Sequence, residues 1–246
     1  MDYFRWLLTV HGRLTGGGGS AAAFSPLSLS PHLWLDPSDL TTLWKDTSGT
    51  DPVTADGDAV ARIDDKSGNG LNLTQATEGS RPLYKTSGGF HWLEGDGDDD
   101  FLTVSSSPVS QPTCWAVAGR FITTPAGRNA MLGNTGAGSI FFEFNGNFLL
   151  YAGLEATGAT AVADGTDFVA ICIFNGASSR IDIDGETGDD INPGTETESG
   201  AQIFSRQSME FANARIYEHL RFDYIPNSAQ LASLVTYLAA KQGRVL

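Results

Sequence analysis

Two stretches of the chain concentrate side chains able to hold a cation or move a proton. Asp96, Asp98, Asp99 and Asp100 crowd the turn Glu94-Gly95-Asp96-Gly97-Asp98-Asp99-Asp100, and a hard cation such as calcium takes roughly six to eight oxygen ligands of this kind. An EF-hand is excluded: with Asp96 as its first position, Phe101 falls where the glycine must stand and Ser107 where the bidentate glutamate must. Calcium held by these four aspartates is one reading, and a solvated acidic turn is the other. Asp182, Asp184, Glu186, Asp189 and Asp190 form a second acidic cluster open to the same two readings.

Other catalytic patterns fail on spacing. His11, His32, His91 and His219 make no H-E-x-x-H pair, and there is no Gly-x-Ser-x-Gly elbow. Gly133–Ser139 has the glycine spacing of a phosphate-binding loop, but Ser139 stands where the lysine must be.

The elements that position these residues read as β. Leu33–Leu35, Ala59–Ile63, Leu71–Leu73, Phe90–Leu93 and Phe101–Val104 are short apolar or alternating runs between turns. Cys114–Phe121, Asn129–Leu132, Ser139–Phe144, Phe148–Tyr151, Phe168–Phe174, Ser179–Ile183, Ala201–Phe204 and Ala212–His219 continue the pattern. Asn145-Gly146 and Asp184-Gly185 are two-residue hairpin signals, because both central residues of such a turn need positive φ. Strands this short and this frequently interrupted predict a sandwich or jelly roll. One helix is predicted over Ser228–Lys241: Pro226-Asn227-Ser228 opens it, Leu231, Leu234, Val235 and Leu238 share a face, and Gly243 ends it.

Length and composition narrow the functional classes. The 246 residues suffice for one large all-β domain. A net charge of −14 argues against nucleic acid and anionic membranes as partners, since phosphate contacts need clustered Lys and Arg. Cys114 and Cys172 both sit in strand runs, where either a disulfide between neighbouring strands or two buried thiols would fit. No apolar run approaches the ~20 residues of a spanning helix.

Residues 1–30 differ in character from the remainder of the chain. Tyr3, Phe4, Trp6, Leu7 and Leu8 lie ahead of the flexible run Gly16–Gly19, and a segment this short cannot bury them by itself. They are expected to form an anchoring arm that docks on another subunit. The apolar core Trp6–Val10 is shorter than the ~7–15 residues of a signal peptide, and His11 and Arg13 come directly after it.

In four ordered places the chain resembles the concanavalin A-like family, in its laminin-G-like jelly-roll branch. Asp65-Lys66-Ser67-Gly68-Asn69-Gly70 is similar to an early D-x-S-G-N-G turn, and Leu93–Leu102 to an F-D-G-x-D-D-Y-V segment. Val169–Phe174 with Arg180–Gly185 resembles the central strand pair ending in an Asp-Gly hairpin. Ala214–Glu218 with the helix resembles the closing strand and its helix. The resemblance implies an all-β sandwich over residues 31–246, preceded by the arm at 1–30. It also brings calcium at the sandwich rim into consideration. Gly16–Pro26 and Leu35–Val53 are further similar to stretches of tailed-bacteriophage proteins carrying this sandwich, which implies a virion component.

Some relatives of this fold are glycoside hydrolases, with catalytic carboxylates at alternate strand positions in an E-x-D-x-x-E-like pattern. In the nearest match here, Arg180 stands where the nucleophile would be, and Asp184-Gly185 breaks the strand. The expectation is therefore a non-enzymatic protein. A glycan platform would need exposed rings. Trp34, Trp92 and Trp115 read as core, Trp44 is expected to be exposed, and Tyr151 is available. The leading expectation is a structural protein at the virion surface, decorating the capsid through the arm, with major capsid or tail proteins and further copies of itself as partners. The alternative is a virion-borne lectin that binds host-surface glycan.

Overall fold

The computed structural model describes residues 24–246 apart from Ala137. The predicted arm contacts Tyr3, Phe4, Trp6, Leu7 and Leu8 lie outside the described residues. In chain order the strands are β1 (Leu33–Leu35), β2 (Leu43–Trp44), β3 (Arg62–Ile63), β4 (Leu73–Thr74), β5 (Leu83–Ser87), β6 (Phe90–Asp96), β7 (Leu102–Val109) and β8 (Thr113–Thr123). They continue with β9 (Asn129–Gly133), β10 (Ile140–Phe144), β11 (Asn147–Tyr151), β12 (Glu155–Thr160), β13 (Asp167–Phe174), β14 (Arg180–Ile183), β15 (Glu198–Ile203) and β16 (Asn213–Phe222). After β16 comes a single α-helix among the described residues, α1 (Ser228–Ala240).

The strands pair antiparallel into two sheets that form a β-sandwich. One has the order β14-β13-β8-β16-β6-β5, with β1 also on β16; the other runs β12-β11-β10-β9-β15-β7-β4-β3-β2. Side chains alternate across each strand, so every second residue enters the space between the sheets. That space is filled by Leu35, Trp115, Val117, Phe141, Phe148 and Phe168 among others. Phe148 lies 5.3 Å from Phe141 and 5.0 Å from Phe168 by ring centroids, and each fully buried ring stabilises the sandwich by roughly 1.5–3 kcal/mol.

The same alternation settles the cysteines. In the β8–β13 register Cys172 lies opposite Trp115, and Cys114 opposite Ile173. They are therefore one position out of phase and face opposite sides of the sheet. Cys172 packs between the sheets and Cys114 on the outer face, both as free thiols. Burial pushes both thiols well above their ordinary range.

The outer face of the first sheet is covered by α1. Asn227 caps it: its side chain accepts from the Gln230 amide, and the Gln230 side chain accepts from the Asn227 amide. Leu234, Val235, Leu238 and Ala239 are buried against Ala116, Ala118, Val169 and Ile171, whose modest side chains let the helix lie close. The turn at Asp65 braces β1 from the side. Its carboxylate accepts from the amides of Trp34, Ser67 and Leu71, while Gly68 and Gly70 take φ of 93° and 73°.

Several sequence expectations are adjusted. Ala59–Ile63 forms a strand only over Arg62–Ile63, and β2, β5 and β12 were not foreseen. Trp44 is half-buried rather than exposed, because it sits on β2 and donates its indole N–H to Asp64 at 2.8 Å. Trp34, Trp92 and Trp115 are core, as expected.

Candidate functional site

The turn after β6 brings together three of the four aspartates singled out from sequence. The carboxylates of Asp96, Asp99 and Asp100 lie within 4.8 Å of one another, and Asp98 is exposed and apart from them. Much of their bonding capacity folds the turn. Asp96 Oδ1 accepts from the amides of Asp98, Asp99 and Asp100, Asp100 Oδ2 accepts from the Asp96 amide, and Asp99 accepts from the Ser80 hydroxyl. Burial, with Asp96 and Asp99 alongside, pushes Asp100 up to about 7. The oxygen donor set suits a hard cation, but three carboxylates supply only part of its shell, so the remaining oxygens would come from elsewhere.

Two other polar clusters sit on β16 just past a bulge, on opposite faces of its sheet. The register shift between Ile216 and Glu218 against β8 puts Tyr217 and Glu218 on the same, outer face. Glu218 is fully buried beneath α1, where it accepts from Trp34 Nε1 at 2.6 Å and Tyr237 OH at 2.8 Å and pairs with Lys241 Nζ at 2.7 Å. Lys241 and Lys66 both reach Asp36 at 2.9 Å. Burial, with Asp36 adding and Lys241 opposing, pushes the Glu218 carboxyl up to about 7.

Beyond the bulge His219 and Arg221 point into the sandwich. Arg221 donates to the carbonyls of Gly200 and Gly133 at 2.9 and 2.7 Å, and to His219 Nε2 at 3.1 Å. An accepting Nε2 leaves the proton on Nδ1, which donates to the Ala116 carbonyl. His219 is therefore neutral, and burial beside Arg221 holds it well below its ordinary range. Glu198 accepts from Thr113 and Trp115 and lies 3.7 Å from Arg221. Sequence reasoning missed this cluster, because an alternating run such as Tyr217–Phe222 does not reveal which charged residue faces inward.

The chemistry with room for a ligand lies at the edge of the helix-bearing sheet. A groove of about 370 Å³ runs between α1 and β14 with its hairpin turn, within the range of small-molecule sites. Its helix wall is aliphatic, with Leu231 and Val235. Its sheet wall is polar, with Arg180, Asp182 and Asp184, and Ser228 lies at the helix start. Asp184 and Gly185 turn the chain with φ of 53° and 89°, as the sequence signal required. Arg180 Nε donates to Asp182 Oδ1 at 2.9 Å, which also accepts from the Gly188 amide at 3.0 Å. Asp184 is held by Arg244 through both carboxylate oxygens and by the Val169 amide. Of the second acidic cluster, Glu186, Asp189 and Asp190 are exposed and do not line the groove. No sequence signal pointed to the groove itself, since its two walls are about 50 residues apart in the chain.

The opposite sheet carries aromatic rings on its outer face, but they are covered. Arg206 lies 4.6 Å over Tyr151 and Arg128 lies 5.7 Å over Phe144. Both guanidinium groups pair with Glu210, and Arg128 also with Glu155. Tyr151 is thus a half-buried ring beneath a closed ion cluster.

No protein-family model matches the chain, and no curated protein matches it. Solved structures do. The ligand-binding domain of botulinum neurotoxin serotype D, in complex with N-acetylneuraminic acid, superposes with a TM-score of 0.61 at 10% identity, over 90% of this chain and 56% of that one. Trypanosoma rangeli sialidase in complex with sialic acid gives 0.58 at 12% identity, over 87% of this chain and 33% of the sialidase. The binding domain of Paraclostridial Mosquitocidal Protein 1 gives 0.58 at 12% identity, over 74% and 51%. The chain thus spans about a third of the sialidase and about half of the toxin domains. At these identities the likeness establishes a shared β-sandwich.

The sialidase match also corrects the expectation of a non-enzymatic protein. That expectation rested on a missing pair of strand carboxylates, with Arg180 in the nucleophile's place. Sialidases are glycosidases that use a tyrosine nucleophile, so the two-carboxylate test does not address them. The absent pattern does not separate this chain from enzymes of the fold.

Proposed function

We propose that the sandwich is a lectin-like, glycan-binding module whose site is the groove between α1 and β14. The observation that carries this reading is the groove's two-sided lining. A sugar ring presents C–H faces that pack on aliphatic side chains such as Leu231 and Val235, and hydroxyls that hydrogen-bond to groups such as Asp182 and Ser228. A domain of similar fold solved with N-acetylneuraminic acid supports a saccharide, charged or neutral, as the ligand. Glycan-array binding by the full chain tests the reading: selective retention of some glycans is expected, and no binding at millimolar sugar would sink it. A hard cation at Asp96, Asp99 and Asp100 is a subsidiary proposal, for which added calcium should raise the melting temperature and a chelator reverse the rise.

Attachment to a virion, with the protein at its surface among capsid or tail proteins and in several copies, is a second proposal. It rests on the phage likeness of Gly16–Pro26 and Leu35–Val53 and on Tyr3, Phe4, Trp6, Leu7 and Leu8. The sandwich neighbours favour glycan binding over capsid decoration as the role of residues 31–246. Particles assembled with a chain lacking residues 1–19 test the arm: normal incorporation would contradict it.

A further inference from the structure

We infer that the groove accepts uncharged sugars and rejects carboxylate-bearing ones, a specificity that rests on the glycan-binding reading above. Asp182 and Asp184 stand on its sheet wall, and among the described residues Arg180 is the single cationic side chain lining it. The Arg180 guanidinium is committed to Asp182 through Nε, at 2.9 and 3.2 Å to the two carboxylate oxygens. Arg244, which neutralises Asp184 through a two-pronged contact, does not line the groove. An acidic sugar entering here would bring its carboxylate against two aspartates, with Arg180 already engaged by one of them, on a chain already at −14. Like charges repel, and the repulsion is stronger next to a low-dielectric wall than in water.

A neutral sugar meets the opposite situation. Its hydroxyls donate to the aspartate oxygens, giving hydrogen bonds strengthened by the acceptor's charge. Its apolar face covers Leu231 and Val235 across the groove. Asp182 is the main selector: it is only 7% exposed, fixed from behind by the Gly188 amide, and directly engaged with Arg180. Removing its charge while keeping its shape would release the guanidinium for a ligand's carboxylate.

Calorimetric titration of the full chain compares three probes: lactose, the methyl glycoside of N-acetylneuraminic acid, and the methyl ester of that glycoside. Lactose and the ester are expected to bind at least ~10-fold more tightly than the free acid at low salt, and the gap is expected to narrow as salt screens the repulsion. Asp182→Asn should raise affinity for the acid by about 10-fold or more. Ala232→Trp, at an exposed helix position on the groove, should abolish binding while leaving the circular dichroism and melting temperature unchanged. Tighter binding of the acid than of its ester would overturn the inference while leaving the glycan reading intact. Binding of neutral sugars that Ala232→Trp does not weaken would overturn the assignment to the groove. Failure of every sugar to bind would remove the glycan reading, and the inference with it.

Discussion

The two buried ionic clusters on β16 sit on opposite faces of its sheet and answer opposite needs. Between the sheets, Arg221 caps two backbone carbonyls of the far sheet and keeps His219 neutral. Beneath α1, Glu218 and Asp36 receive Lys241 and so fix the helix that forms one wall of the groove. The inner cluster closes the sandwich, whereas the outer one positions a separate element against it. Charge buried between sheets is thus a matter of fold, and charge buried under the helix is a matter of site geometry.

Removing one partner is the most severe test of that contrast. Arg221→Met leaves Glu198 and two carbonyls without their cation and is expected to lower stability by about 3–5 kcal/mol, read as a fall in denaturation midpoint. The variant's groove should be unchanged wherever it remains folded.

pH separates the clusters by sign. Glu218 has its folded pKa raised to about 7 from an ordinary 4.5, so its contribution is fully present below about 4.5 and is lost as pH rises through 7. Asp100, also raised to about 7, acts in the same direction. His219 is depressed, so its contribution is lost as pH falls below the ordinary 6.5. Urea denaturation of wild type and Glu218→Gln at pH 5 and pH 8 isolates the outer cluster. The variant should gain on wild type with rising pH, by at most about 3 kcal/mol. An unchanged difference between the two proteins would mean that Lys241 keeps Glu218 charged throughout.

The smallest effect concerns the helix end. Asn227→Ala removes the cap and is expected to cost about 1 kcal/mol, seen by differential scanning calorimetry. A loss much larger than that would mean that the cap, rather than the Glu218 cluster, holds α1 in place.

Much of the sandwich was legible because alternation marks a strand with one buried face. Ala212–His219 is recognisable on that basis, Phe168–Phe174 instead as an unbroken apolar run buried on both faces, and Asn145-Gly146 and Asp184-Gly185 fix their turns through positive φ. β12 escaped because Glu155–Thr160 is small and polar, and its Gly158 is set by a neighbour: a Cβ there would come within 2.7 Å of Ile181. Arg221 escaped because the bulge at Tyr217 reverses the alternation, and nothing local announces a bulge. The groove was the least legible feature. Arg180 and Asp182 drew attention as a failed hydrolase pattern, yet their surroundings depend on where a distant helix docks.

The most direct test is chemical-shift mapping of the full chain on titration with lactose. Glycan binding in the groove predicts perturbations concentrated in residues 180–187 and 228–236. Perturbations confined to the aromatic face around Phe144 and Tyr151, or none at millimolar sugar, would contradict it.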